Sequence, residues 1–354
     1  SSTVKTSLTH SISAGPVLIG PANAAKGLDP VNVVIEWEAV SEDIDGSDVN
    51  IVGYQLIVEE DAAPQYPQSF AKPWMSVHVP ASVNSATVPA GFLKDDACYK
   101  YEVLAIEESG NQTLSSSTFE TGLGCGTKEA KGGDVPVLTA AKILIEHNAT
   151  DEDTGFQGFA DGDPWNQLTI TGPDNQSIVV VNPKGGLFNF GLTELFFETS
   201  EPPNADVPIN DVLARLPEGT YTFEGDMVDG DVRIMTATLS HNIPAGPVLV
   251  SPEDGANNVD PGDVVVAWEE VIMNIEGSED INIIGYQVIV ELDKKKKYPQ
   301  GFAHPVFSIY LPASATSVTV PTEFVDGGAP YKYEVLAIEE TGNQTFSSAL
   351  FRTK

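Results

Sequence analysis

The sequence predicts an all-β fold of three tandem β-sandwich domains, and two observations carry this prediction. The first is an internal repeat: residues 99–119 and 331–351 are identical at 17 of 21 positions, at a constant offset of 232, which indicates a duplicated domain. The second is a spacing of two residues within the repeat, which places Tyr99, Tyr101 and Val103 on one face of an extended segment. A period of two is typical of a half-buried strand.

Further strands follow from the same pattern in both copies. The turn Ser109-Gly110-Asn111 and residues 113–119 complete a hairpin with the repeated strand. Two earlier strands are predicted in each copy, at residues 33–37 and 53–58 and again at residues 264–268 and 285–290. The chain of 354 residues is long enough for two or three domains of this size.

The repeated strand and its Gly-Asn turn resemble the penultimate strand of fibronectin type III domains. The resemblance implies that Tyr99 and Tyr331 form tyrosine corners, in which the hydroxyl bonds to backbone upstream. Tyr101 and Tyr333 depart from the family pattern, since valine is usual there. Trp37 and Trp268 match the family's early-strand tryptophan. The resemblance covers about two thirds of the chain and implies a fold, but not a function.

The segment between the copies is not a third copy, and its short strands predict an immunoglobulin-like β-sandwich. Those strands are expected around residues 141–146, 168–171, 177–181, 195–198 and 219–223, with a polar loop at 147–163 and a helical turn at 211–216. The predicted division is an N-terminal strand (1–10), the first copy (11–128), the middle module (129–241) and the last copy (242–354).

Residues 1–10 align with the closing strand of the middle module at an offset of 231. Two interpretations stay open. The segment is the ordinary first strand of the first copy, or it is a donor strand that completes a neighbouring subunit's sheet and builds a filament.

The charge balance restricts the classes of partner. The formal net charge is −33, from 51 acidic and 18 basic residues, which argues against binding to nucleic acid or to anionic lipid. The sequence contains no run of 18 apolar residues, so no membrane-spanning helix is expected. The chain opens without a charged and apolar leader, which favours a mature exported protein.

Cys98 and Cys125 are the two cysteines, and they flank the hairpin of the first copy. A hairpin brings such positions together, so a disulfide is expected. In the last copy, Pro330 occupies the position that matches Cys98. A disulfide indicates an oxidising compartment, such as the cell exterior.

An acidic segment in the middle module is the candidate metal site. Oxygen ligands at close spacing on polar loops suit Ca²⁺, and the predicted ligands are Asp151, Asp153, Asp161, Asp163 and Asn148. The spacing does not match an EF-hand. A solvated acidic loop with Asx turns is the alternative.

No enzyme is predicted. Asp153-Thr154-Gly155 occurs once, whereas an aspartic protease needs two such carboxylates. The five histidines have no metal-ligand spacing, and no Ser-His-Asp set or phosphate loop is recognisable. A glycosidase needs two carboxylates at a fixed separation in space, and no tryptophan-lined cleft is indicated for one, since two of the four tryptophans, Trp37 and Trp268, are assigned to cores.

The leading functional hypothesis is a non-catalytic extracellular structural protein, either a cell-surface scaffold or a self-associating filament subunit. Two interpretations of the four lysines at 294–297 stay open, a solvated loop or a contact for an acidic patch on another subunit. The alternative is a glycan- or surface-binding adhesin, or an accessory module of a polymer-degrading system. That alternative needs exposed aromatic side chains in a line, for which the candidates are Trp74, Tyr66, Tyr298 and Phe302.

Overall fold

The computed structural model describes residues 9–61, 74–123, 138–294 and 305–354. Within these residues the first copy forms eight strands: β1 (Leu18–Gly20), β2 (Ala25–Leu28), β3 (Val34–Trp37), β4 (Ile51–Glu60), β5 (Trp74–Pro80), β6 (Ser85–Thr87), β7 (Cys98–Glu107) and β8 (Gln112–Thr121). A three-stranded sheet, in the order β1-β3-β6, packs against a layer in the order β5-β4-β7-β8, and β2 pairs in parallel with β8. The first copy is therefore the predicted sandwich.

Buried aromatic side chains join the two layers of this sandwich. The Trp37 and Tyr54 rings lie 5.4 Å apart, and neither is more than 1% exposed. The Tyr99 hydroxyl accepts a hydrogen bond of 2.7 Å from the backbone amide of Lys94, which confirms the tyrosine corner. The Tyr101 hydroxyl donates to the carbonyl of Pro21 at 2.7 Å. A tyrosine in place of the usual valine therefore bonds the end of β1 to the opposite layer.

The middle module is a β-sandwich built around one long strand. Its elements are β9 (Leu138–Asn148), β10 (Asp153–Thr171), β11 (Ser177–Val181), α1 (Leu187–Phe190), β12 (Leu192–Glu198), α2 (Ile209–Leu213), β13 (Gly219–Met227) and β14 (Val232–Leu239). The first half of β10 pairs with β9 and β12, and the second half pairs with β11 and β13. Tyr221 donates to the carbonyl of Pro217 at 2.8 Å, a third tyrosine corner.

The expectation of a polar loop over residues 147–163 is wrong for most of that segment. β9 extends to Asn148, and β10 begins at Asp153. The glycines of β10 give this segment a composition that is typical of loops. Side chains from a neighbouring part of the middle module lie directly over two of them. A Cβ at Gly158 would lie 2.2 Å from the Phe197 ring, and one at Gly155 would lie 2.6 Å from Cγ of Glu201. The glycines therefore make room for neighbouring side chains.

The last copy repeats the first. Its strands are β15 (Leu249–Ser251), β16 (Ala256–Val259), β17 (Val265–Trp268), β18 (Ile283–Leu292), β19 (Val306–Pro312), β20 (Ser317–Thr319), β21 (Pro330–Glu339) and β22 (Gln344–Thr353). The Tyr331 hydroxyl accepts from the backbone amide of Asp326 at 2.7 Å, and the Tyr333 hydroxyl donates to the carbonyl of Pro252 at 2.6 Å. Both copies are fibronectin type III-like sandwiches, as the resemblance implied.

Strand pairing continues from one module to the next. β5 of the first copy pairs antiparallel with β19 of the last copy, with Ser76 opposite Ser308. These two serines are themselves equivalent at the offset of 232, so the pairing has a pseudo-two-fold axis, like an isologous dimer contact within one chain. At the other side of the last copy, β22 pairs in parallel with β9. Sixteen of the described strands thereby form one continuous sheet.

Among the described residues, no helix has the length and apolar character needed to cross a membrane.

Candidate functional site

A pocket with a volume of about 590 Å³ lies where the three modules meet. Its floor is the outer face of the four-stranded layer of the last copy. Successive side chains of β18 and β21 point to opposite faces of the sheet. Val288 and Val335 are therefore buried in the core. Ile289, Glu334 and Leu336 face the pocket. A sheet face that would otherwise meet solvent is thereby covered, and Leu336 is only 3% exposed.

The other two modules form the walls. The first copy contributes Trp74, whose ring lies 5.1 Å from that of Tyr310 across the β5–β19 pair. The middle module contributes Phe159 and Phe196, and the ammonium of Lys142 lies 5.6 Å from the centre of the Phe159 ring. The pocket therefore needs all three modules.

The aromatic side chains that the last copy contributes to the pocket stand where the two copies differ. Tyr310 and Phe346 line the pocket, and the equivalent residues of the first copy are His78 and Leu114. Other positions of the floor are the same in both copies: Gln287, Ile289, Glu334, Leu336 and Gln344 correspond to Gln55, Ile57, Glu102, Leu104 and Gln112. The aromatic character is thus specific to the side where the pocket forms.

Three carboxylates gather at one side of the pocket. Oxygen atoms of Glu146, Glu198 and Glu201 lie within 4.8 Å of one another. Gln344 donates a hydrogen bond to Glu146, and Gln157 donates to Glu198 at 3.1 Å. The Oε1 atom of Glu201 is buried without a partner among the described residues. No ion pair joins these three carboxylates to a described cationic side chain.

The surroundings of these carboxylates disfavour their charged forms. Burial raises the pKa of Glu146 to about 7; the hydrogen bond from Gln344 lowers it, and the charges of Glu201 and Glu198 raise it further. Burial, followed by the charges of Glu198 and Asp153, raises the pKa of Glu201 to about 7. A cation in this place would lower both pKa values.

Three of the five predicted calcium ligands lie together at the β9–β10 turn. The Asn148 amide nitrogen donates to Asp151 at 3.0 Å, and Asn148 Oδ1 accepts from the backbone amides of Thr150 and Asp151. Asp153 lies opposite Asn148 in the β9–β10 register. Burial, followed by the charge of Asp151, raises the pKa of Asp153, and its Oδ1 atom is buried without a described partner.

The other two predicted ligands lie farther along β10. Asp161 and Asp163 are eight and ten residues beyond Asp153 on the same strand, which is about 26 Å and 33 Å along an extended backbone. They face a different part of the molecule because the segment that contains them is a strand and not a compact loop.

The remaining sequence-predicted residues are only partly described. Cys98 is buried at the start of β7, and Cys125 lies outside the described residues, so their disulfide stays a prediction. Trp74 lines the pocket, whereas Tyr66, Tyr298 and Phe302 lie outside the described residues. Of the four lysines at 294–297, only Lys294 is described.

Sequence reasoning did not predict the pocket or the contribution of Glu198, Glu201 and Tyr310. The positions at which two nearly identical copies differ could have indicated Tyr310 and Phe346. No pattern in sequence brings Glu201, which follows β12, close to Glu146 on β9.

Known proteins resemble this chain only at low identity and low structural similarity. No protein-family model matches the chain, and no curated protein matches it. Solved structures that align with it include the FN1–FN3 domains of chicken CNTN1, at 11% identity over 97% of this chain and 99% of that chain, with a TM-score of 0.24. The fibronectin(III)-like modules of Clostridium thermocellum CbhA align at 10% identity over 62% of this chain and 92% of that chain, with a TM-score of 0.21.

A third structure concerns the host cell surface retention of a 1.5-MDa bacterial ice-binding adhesin. It aligns at 12% identity over 94% of this chain and 95% of that chain, with a TM-score of 0.18. Scores this low support no argument about function. The chain is an all-β protein with two fibronectin type III-like sandwiches that flank a different β-sandwich.

Proposed function

We propose that this chain is a non-catalytic structural protein of the cell exterior, a scaffold in which three sandwiches act as one body. The observation that carries the proposal is the continuous sheet. Backbone hydrogen bonds across β5–β19 and β22–β9 join the modules. Flexibly linked modules would leave these strand edges open, whereas here each edge is paired. A continuous sheet resists bending between modules, which suits a load-bearing or spacing role.

Side chains reinforce the junction between the middle module and the last copy. Asn343 Oδ1 accepts from the backbone amide of Ile145 at 2.9 Å, and the amide of Ser348 donates to Thr150 Oγ1 at 2.8 Å. The backbone amide of Ala149 donates to the carbonyl of Phe346 at 2.8 Å. These hydrogen bonds lie on both sides of the β22–β9 pairing and so lengthen the contact between the two modules.

We further propose that copies of the chain associate with one another, and that the N-terminal strand of one copy is donated to the next. Thr9 and Ser11 accept hydrogen bonds from the Asn111 side chain, as Ser240 and Asn242 accept them from Asn343. The residues ahead of Ser240 form β14 of the middle module. Residues 1–8 are the corresponding segment at the offset of 231, with Leu8 matching Leu239, and we infer that they add to the sheet of a neighbouring copy.

Light scattering and negative-stain imaging test this assembly. The full chain is compared with a variant that lacks residues 1–8 and keeps Thr9. Fibres or oligomers of the full chain that disappear in the truncated variant would support strand donation. If the full chain stays monomeric at high concentration, with and without Ca²⁺, the self-association proposal fails and the scaffold acts as a single copy.

Calcium binding at the β9–β10 turn is a further part of the proposal. Asp151 and Asp153 present carboxylate oxygen atoms on one hairpin, beside Asn148, which holds the turn through its side-chain oxygen. Such a group of oxygen atoms suits a hard cation. We expect Ca²⁺ to raise the melting temperature of the wild type by several degrees and to have little effect on Asp151→Asn. Asp161→Asn is the matched control and should keep the full response. An equal loss in both variants would contradict this location.

A further inference from the structure

The pocket between the modules is built from residues that set it apart from the same face of the first copy. At the positions equivalent to Tyr310 and Phe346, the first copy has His78 and Leu114. Trp74 is equivalent to Val306 in the last copy. At each of these three positions the residue that lines the pocket is a tyrosine, phenylalanine or tryptophan, and its equivalent in the other copy is a smaller histidine, leucine or valine. Simple packing of two sheets does not require that asymmetry.

Acidic side chains are concentrated at one side of the pocket. Glu146 and Glu334 line it, and carboxylate oxygen atoms of Glu198 and Glu201 lie within 4.8 Å of one of Glu146. Lys332 neutralises Glu334 at 2.7 Å, but no described cation pairs with Glu146, Glu198 or Glu201. Lys142 also lines the pocket, on the wall formed by Phe159, so the three carboxylates outnumber the one cationic side chain of the described lining that lies on this side.

The aromatic walls suit a cation on an apolar stem. One wall already holds such a group, because the ammonium of Lys142 lies over the Phe159 ring at 5.6 Å. Aromatic faces attract ammonium and guanidinium groups, and the attraction is strongest where water is excluded. Trp74 and Tyr310 form a second aromatic surface, 5.1 Å between ring centres.

We propose that this pocket binds an organic cation, a primary ammonium or guanidinium group on an apolar stem, between the Trp74–Tyr310 pair and the carboxylate of Glu146. The stem contacts Ile289, Leu336 and Phe346 on the floor. The chemistry has two sources, a free amine or a lysine side chain of a protein, including the lysine run at 294–297 of a second copy. The site lies beside the strand contacts that carry the scaffold proposal and depends on them, because Trp74 and Tyr310 meet across the β5–β19 pair.

Isothermal titration of the full chain in buffer with EDTA tests this inference. The probes are cadaverine as a free amine and an acetylated tetralysine peptide as a protein-borne amine. Hexanoate and methyl β-D-glucoside serve as the anionic and neutral comparisons. We expect one or both amines to bind and the two comparison compounds not to bind. Tighter binding of the peptide identifies a protein source, and tighter binding of cadaverine identifies a small molecule.

Single substitutions test whether the amine binds at this position in the pocket. Glu146→Gln should weaken amine binding about tenfold, and Trp74→Val and Tyr310→His, which install the residues of the other copy, should each weaken it about fivefold. Glu102→Gln, at the first-copy position that matches Glu334, should leave affinity unchanged. Melting temperatures check that each variant is folded, and two independent aromatic variants keep the test valid if one is not.

Three outcomes would overturn the inference. The first is binding of the glucoside and not of the amines, which would make the pocket a sugar site. The second is Ca²⁺ binding without EDTA that Glu146→Gln abolishes, with no amine binding. The third is no binding of any probe. None of these results would affect the strand pairing between modules, so failure here leaves the scaffold proposal to its own tests.

Discussion

At the scale of single residues, Glu146 carries a carboxylate in a place that disfavours its charge. Its pKa is raised to about 7 from a usual value of 4.5. The groups that face it are Glu198 and Glu201 of the middle module, and Glu334, Tyr310 and Gln344 of the last copy. Because the folded state holds this proton more tightly than the unfolded state, stability decreases as the pH rises from about 4.5 to about 7.

Replacement by the neutral isostere should remove part of that dependence. We expect Glu146→Gln to raise stability relative to the wild type at pH 8, by on the order of 1 kcal/mol, and to change it little at pH 5. Urea unfolding at both pH values measures the difference. Glu224→Gln, an exposed change on β13, is the control for the removal of one negative charge, and it should change stability at pH 8 less than Glu146→Gln does. Equal effects of Glu146→Gln at both pH values would contradict this description of the site.

Other residue-scale features follow directly from sequence. Tyr99 and Tyr331 form the corners that the family resemblance implied, and Trp37 and Trp268 are buried. These residues act through local geometry within one sandwich, so a motif is sufficient to predict them. Glu198 and Glu201 act through a neighbour that is distant in sequence, and a motif carries no information about that distance.

At the scale of elements, the Gly-Asn turn that occurs in both copies makes different contacts in each of them. Asn343 is fully buried and bonds the middle module through the amide of Ile145 as well as Ser240 and Asn242. Asn111 makes the equivalent bonds to Thr9 and Ser11 but remains partly exposed. The same sequence therefore stabilises one sandwich in the first copy and joins two modules in the last.

The two asparagines should differ in what they contribute. We expect Asn343→Ala to cost about 2 kcal/mol more than Asn111→Ala, because it leaves the buried amide of Ile145 and two carbonyls without partners. Chemical denaturation of the two variants under identical conditions gives the comparison. Equal losses would indicate that the Asn343–Ile145 contact adds nothing to the junction.

Strand prediction succeeded where apolar residues alternate with polar ones or form a short run bounded by turns, and it failed where glycines interrupt the pattern. The strand at residues 177–181 was predicted with the bounds that β11 has in the structure. The first half of β10 was expected to be a loop because its composition is polar and rich in glycine. Its glycines are required by Phe197 and Glu201, which lie over them. The reason for those glycines is in another strand and cannot be seen locally.

At the scale of the whole molecule, the arrangement of the modules is the feature that sequence does not contain. Duplication predicted two equivalent sandwiches, but not that their equivalent edge strands, β5 and β19, pair with each other. Edge pairing depends on which strand edges are free after each sandwich has formed. The pocket depends on that pairing as well, since Trp74 and Tyr310 meet across it.

The direct pairing of the two copies is the central claim, and an engineered cross-link tests it. Ser76 and Ser308 lie opposite each other on neighbouring strands, a separation at which paired cysteines can form a disulfide. Ser116 and Ser348 are also equivalent at the offset of 232, but lie on β8 and β22, which do not pair with each other. The second pair is therefore the matched control.

The decisive measurement is peptide mapping of the oxidised double variant Ser76→Cys/Ser308→Cys beside Ser116→Cys/Ser348→Cys. We predict an intrachain disulfide between the introduced cysteines of the first variant and none between those of the second. An unlinked first variant, or one linked only between different chains, would contradict the continuous sheet and the scaffold proposal that depends on it.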